Sequence, residues 1–293
     1  MTLRQAMLDA ARRAPALLGP STRLVRDFLW SQLHPDGGFR GRSDASDLYY
    51  TVFGLDGLRA LGEEVPQERV RSHLAGFGDG EGLDFVHLCC LARCWAGVAG
   101  GAPADVTAAV IDRLGVFRTP DGGFSPVPGA ERGTAYGCFL GLGAWGDCES
   151  ELPDLPGLVA CLESLRSGDG GYGNERGRAV GTTPATAAAV VSLRHLGQGV
   201  PDEAGEWIRA RCMASGGFLA APAAPLPDLL STAIALHALA AVGAPLDGLR
   251  EPCLDFLDTL WDHRGGFHGS WADDALDCEY LFYGLLALGH LST

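Results

Sequence analysis

Three carboxylates fall within six residues near the end of the sequence: Asp274, Asp277 and Glu279, in DDALDCEY. Carboxylates this close repel one another, so one pKa rises, and an acid that stays protonated near neutrality is a proton donor. A helix N-terminus beside them helps hold the remaining charge. Offsets of three and five from Asp274 place Asp277 on roughly the same helical face and turn Glu279 aside. Glu279 itself could deliver a proton if burial raised its pKa.

His87, Cys90 and Cys94 stand at i, i+3 and i+7 in DFVHLCCLARC. Two neighbours could share a zinc, but the full span rises ~10 Å, too far for one ion to hold all three. Buried thiols beside a hydrogen-bonded histidine is the plainer reading. His195 and His237 read as ordinary helix residues. Arg40, Arg42 and Arg132 lie on loops that lead into apolar segments, where guanidinium groups and helix N-termini together attract anions. Tyr49, Tyr50, Phe53, Tyr136, Phe139, Tyr280, Phe282 and Tyr283 offer ring faces that suit an apolar chain or a developing cation.

The frame for these groups is a repeat. A Gly-Phe or Gly-Tyr signature recurs at Gly38-Phe39, Gly123-Phe124, Gly171-Tyr172, Gly217-Phe218 and Gly266-Phe267, in steps of 85, 48, 46 and 49 residues. The first step spans two units, because residues 77–100 form a degenerate copy without the signature. Six repeats of about 46 residues fill the chain. Each has an amphipathic segment, such as LVACLESLRS, then a glycine turn, a loop of roughly ten residues, and a second segment that is apolar nearly all round. The first reads as a helix with one wet face and the second as a helix buried on both sides. Asp47, Asp84, Thr134, Thr183, Asp228 and Asp274 are the candidate N-caps. Gly62, Gly146, Gly197, Gly243 and Gly289 are the candidate stops.

Twelve alternating helices form an open solenoid or a closed double ring. A solenoid needs a polar terminal repeat, and EYLFYGLLALGHL is as apolar as any segment in the chain. The expectation is therefore an all-α, α6/α6 toroid over residues 1–293, as one domain. Hydrophobic content of 47% and a net charge of −14, with no lysine, suit a globular protein and argue against a nucleic-acid partner. Nine cysteines without a CxxC pair suggest buried thiols rather than a disulfide framework or zinc ribbon. No apolar run is long enough for a transmembrane segment, and residues 1–20 make a poor secretory signal, so the expected location is cytoplasmic.

GGFSPVPGAERGTAYGCFLGLGAW resembles a repeat of protein prenyltransferase β subunits, and HPDGGFRGRSDASDLYYTVFGLDGLRALG resembles another. The wider superfamily includes the squalene–hopene and other class II terpene cyclases. The resemblance covers essentially the whole chain and implies an enzyme that holds an isoprenoid or isoprenyl diphosphate in an aromatic-lined central cavity. Tyr49, Tyr50, Tyr136 and Tyr280 would contact the chain, and Arg40, Arg42 and Arg132 any diphosphate. It also implies zinc or magnesium, and a second subunit.

This sequence departs from the family at the inner-helix starts. Of the zinc ligands, Asp47 matches the aspartate and His87 the histidine, but Tyr49 stands where cysteine would, and Cys278 is one residue out of register. Gly133 replaces the histidine that contacts diphosphate. Against the DxDD of class II cyclases, the chain reads Asp277-x-Glu279-Tyr280. Prenyl transfer and protonation-initiated cyclisation with Asp274, Asp277 and Glu279 therefore both stay open. The rival from another class is a non-catalytic toroid that holds a lipid or protein partner. An α6/α6 carbohydrate-active enzyme ranks last, since Trp271 is the one tryptophan on a loop expected to face the cavity.

Overall fold

A computed structural model describes residues 1–292. Its helices are α1 (Leu3–Ala11), α2 (Pro15–Leu18), α3 (Thr22–Gln32), α4 (Leu48–Ala60), α5 (Gln67–Ala75), α6 (Phe85–Ala96) and α7 (Ala104–Gly115). The series continues with α8 (Ala135–Asp147), α9 (Leu155–Ser164), α10 (Thr183–His195), α11 (Asp202–Arg209), α12 (Leu229–Ala241), α13 (Arg250–Leu260) and α14 (Cys278–Leu291). The even-numbered helices from α4 to α14 pack side by side, and α14 returns to pack on α4, which closes an inner ring. The odd-numbered helices from α3 to α13 pack outside it, each against one or two inner helices. This is the α/α toroid that the alternation of wet-faced and all-apolar segments predicts.

The repeated turn has a mechanical purpose. Phe39, Phe124, Tyr172, Phe218 and Phe267 are buried. Rings of Phe39, Phe124 and Phe267 lie where a Cβ on Gly54, Gly141 or Gly284 of the inner helix would sit. The backbone N–H groups of Phe39, Tyr172 and Phe218 donate to Thr51, Thr186 and Thr232, while that of Phe124 donates to Cys138 Sγ. Cys138 thus does a threonine's work. Two-residue antiparallel pairings set Phe39 opposite Asp47 and Phe218 opposite Asp228, so each turn leads directly to a helix cap. The turn also reaches forward. Gly37 has φ 101°, and a Cβ there would lie 2.1 Å from the Arg69 carbonyl oxygen on α5. Gly265, with φ 95°, meets Leu24 of α3 at the same distance, so the last turn is latched onto the first outer helix.

Side-chain caps open the inner helices at Asp47, Asp84, Thr134, Thr182, Asp228 and Asp277, each accepting a backbone N–H two or three residues on. Two expected caps move. Thr182 replaces Thr183, whose hydroxyl instead donates to the Leu219 carbonyl. Asp277 replaces Asp274, which lies exposed in the preceding loop. Gly62, Gly197 and Gly243 follow their helices with positive φ, as expected. Gly146 and Gly289 instead lie inside α8 and α14.

Gly289 is where the N-terminal helix docks. A Cβ there would meet the Ala10 carbonyl oxygen at 2.0 Å, and Arg13 Nε donates to the Gly289 carbonyl. Helix α1 packs against α4, α8, α10 and α14, and so covers one end of the ring. Sequence reading assigned this segment no structural role.

Candidate functional site

The ring encloses a cavity of about 370 Å³, within the range of small-molecule sites. Its lining follows from helical spacing. Residues two past each cap form a first layer: Tyr49, Val86, Tyr136, Pro184, Leu230 and Glu279. Five or six past the caps come Val52, Phe53, Cys89, Cys90, Phe139, Leu140, Ala187, Ala188, Ile234 and Tyr283. Nine past them stand Arg93, Gly143, Val191 and His237, and below these Asp147. Leu3, Arg4 and Met7 of α1 complete the floor. Tyr136 is 40% exposed, so the end opposite α1 opens to solvent.

Glu279 stands two residues past its cap, Asp277, and so falls in the first layer of the cavity lining rather than turning aside. Its Oε1 accepts a hydrogen bond from the Tyr49 hydroxyl at 2.6 Å. Burial pushes its pKa up to about 7; the Tyr49 bond opposes this, nearby Asp277 adds to it, and Arg42 opposes it. The carboxyl is therefore substantially protonated at neutral pH, with Oε2 left to carry the proton. Tyr49, Phe53 and Tyr283 form a chain of ring contacts beside it, with centroids 5.1 and 5.6 Å apart.

Asp277 is fully buried and does two structural jobs. Oδ1 caps α14 through the Tyr280 N–H, and Oδ2 accepts from Arg42 Nε at 3.0 Å. Arg42 also donates to Asp273 at 2.6 Å and lies over the Tyr280 ring. Two carboxylates thus already neutralise it. Arg40 has a buried Nε without a partner among the described residues, and Arg132 is an exposed loop residue; neither lines the cavity. Tyr50 packs over Gly41, Tyr280 over Gly269, and Phe282 is wholly buried, so these three rings are also absent from the lining. Trp271 faces the outer layer, donating to Thr259 of α13.

The zinc donors implied by the resemblance do not converge. His87 Nε2 is 3.9 Å from Asp47, while its Nδ1 holds Asp84 at 2.8 Å. Cys278 is buried with Sγ directed to the Arg40 carbonyl, and burial raises its thiol pKa. No group of three His, Cys, Asp or Glu side chains among the described residues could hold a metal ion. Cys90 lines the cavity and Cys94 is buried, both with pKa raised chiefly by burial. These residues do not fit a zinc centre.

Sequence reasoning missed the floor. Asp56 Oδ1 accepts from Arg4 Nε, and Oδ2 from Arg93 Nε and Nη2, all within 2.7–2.9 Å. Burial raises the Asp147 pKa to about 6, opposed by Arg93 and Arg4. His237 Nδ1 and His290 Nε2 lie 2.9 Å apart, and burial lowers His237 to about 4, so it is neutral. Asp56 and Arg93 sit at the same offset from their caps inside apolar helices. That coincidence was the available signal.

Among the described residues, no helix is long and apolar enough to cross a membrane. A type II terpene cyclase from Scytonema, MstE, in a variant complexed with its substrate geranylgeranyl dihydroxybenzoate, is similar in fold. It is 14% identical with TM-score 0.66, over 95% of this chain and 98% of that one. A protein from Actinoplanes is 16% identical with TM-score 0.59, over 93% of this chain and 98% of its own. Candida albicans protein geranylgeranyltransferase-I, complexed with GGPP, is 16% identical with TM-score 0.51, over 98% of this chain and 82% of that chain. No curated protein sequence matches. The prenyltransferase alpha-alpha toroid domain matches residues 19–77 and 186–292, more than half of the sequence. On that match, the chain belongs to the prenyltransferase alpha-alpha toroid family.

Proposed function

We propose that this protein is an isoprenoid cyclase started by protonation, with Glu279 as the acid. The observation that carries the reading is a protonatable carboxyl in the first layer of the cavity, directly above a middle layer of aliphatic and aromatic side chains. In the proposed step, the Glu279 Oε2–H bond breaks and a terminal alkene's π pair takes the proton. A C–H bond forms at one alkene carbon and a cation at the other. The Tyr49 hydroxyl already donates to Oε1, so the new carboxylate is born hydrogen-bonded. The ring faces of Tyr49, Phe53 and Tyr283 stabilise the cation until an internal alkene attacks it. The cyclised cation then loses a C–H proton to water, which gives an isomer of the substrate, and solvent returns a proton to Glu279. Cyclisation is favoured over prenyl transfer because Arg42 is neutralised by Asp273 and Asp277. A diphosphate would meet a mouth bearing Asp47 and Asp84. The compounds bound in the structural relatives, geranylgeranyl dihydroxybenzoate and GGPP, set the chain length to try first.

The test is incubation of both compounds in D2O. The expected product is a cyclised isomer with one deuteron bound to carbon, formed by the native protein and not by Glu279→Gln. Consumption of GGPP with release of diphosphate and no deuterium would overturn the reading.

A further inference from the structure

We infer that the cavity takes its isoprenoid tail-up: the alkene terminus beside Glu279, and a neutral hydroxyl-bearing head against the floor formed by Arg93, Asp147 and His237. This orientation rests on the role proposed for Glu279, since the end that is protonated must lie at the first layer. The other end then lies deeper. A rise of 1.5 Å per residue puts the His237 layer roughly 10 Å below Glu279, and Asp147 roughly 16 Å below.

That deep end is not built for a hydrocarbon tail. The middle layer offers Val52, Phe53, Phe139, Leu140, Ala187, Ala188 and Ile234, whereas the floor presents an arginine, an aspartate and a histidine to the same cavity. A buried nitrogen of the cavity lining has no partner among the described residues: His237 Nε2. His237 is only 8% exposed. Buried polar atoms left unpaired are rare, and orphaned N–H donors rarer than under-used acceptors. The His237 tautomer that donates from Nδ1 to His290 avoids the orphaned donor and leaves a free lone pair on Nε2. A ligand O–H answers that lone pair.

Charge selects the head group. Arg4 and Arg93 are set against Asp56 and Asp147, so the floor carries no surplus positive charge to neutralise a diphosphate. A hydroxyl, which donates and accepts without net charge, fits. The substrate class is therefore a neutral prenylated alcohol or phenol.

Binding alone tests this. Dissociation constants would be measured for geranylgeraniol, for the same C20 chain without its hydroxyl, and for GGPP. The native protein should hold the alcohol about tenfold more tightly than the hydrocarbon, one hydrogen bond's worth, and the diphosphate no more tightly than the alcohol. In His237→Phe the preference should shrink to less than about twofold, with hydrocarbon affinity kept. Equal affinities in the native protein, a preference that survives in the variant, or tightest binding of GGPP would each overturn the inference. The native comparison decides even if the variant fails to fold. If none of the three binds, the isoprenoid reading itself falls; if all bind alike, only the orientation does.

Discussion

The Tyr49 hydroxyl lies 2.6 Å from Glu279 Oε1, although 230 residues separate the two in sequence. The contact exists because the ring closes, bringing the first inner helix beside the last. Tyr49→Phe removes a donor that favours the ionised carboxyl, so the Glu279 pKa should rise further. The high-pH limb of the rate profile should then move to higher pH, while maximal turnover falls for want of stabilisation of the new carboxylate. A profile that keeps its midpoint would show that the pair does not govern the acid.

Turnover in the native protein should itself decline as pH rises through about 7, because the donor is the protonated form. Glu279→Gln keeps the Tyr49 hydrogen bond and removes the proton. It should cost roughly 10²–10⁴-fold in rate, with ligand affinity retained. Rate and affinity measured side by side separate loss of chemistry from loss of the site.

Stability should show the same acids with a definite sign. Glu279 and Asp147 have folded-state pKa values above their unfolded ones, so between about 4 and 7 the native state binds more protons than the unfolded chain. Their contribution therefore falls as pH rises across that window. At pH 8, Glu279→Gln should be more stable than the native protein, on the order of 1–2 kcal/mol after solvent screening. Urea unfolding at pH 5 and pH 8 reads this directly.

Latching of the last turn onto the first outer helix predicts a large effect from a small change. Gly265→Ala adds a Cβ to a residue at φ 95°, against the Leu24 carbonyl. A loss of about 2–3 kcal/mol or more is expected, whereas Gly197→Ala, at positive φ with nothing nearby, should show the backbone cost alone. Equal losses would mean that the latch contributes little.

Metal should not matter to this fold. His87→Ala and Cys278→Ala should leave the metal content of the purified protein unchanged, and a chelator should leave Tm where it was. One zinc per chain, lost in either variant, would contradict the donor geometry.

The ring was legible because its parts are local. The Gly-aromatic turns, the cap residues and the all-apolar inner helices each follow from a few adjacent residues, repeated. The site was less so, for two physical reasons. Several carboxylates in one loop can all cap a helix, and a helical offset counted from Asp274 runs through residues that are still loop, so Glu279 was turned the wrong way. Arg42 could be read as a free cation because its partners, Asp273 and Asp277, lie more than 230 residues away. Nothing in a local window reports such pairs. The floor was the same problem in sharper form: Arg4, Asp56 and Arg93 come from three helices.

The N-terminal helix that covers the floor also sets a timetable. Arg13 finds its acceptor at Gly289, 276 residues further along the chain. Helix α1 therefore leaves the ribosome long before α14 exists, and its apolar face has to wait. Contacts of such separation slow folding, and exposed segments that wait are open to aggregation. The Arg13–Gly289 contact is therefore among the last this chain can make.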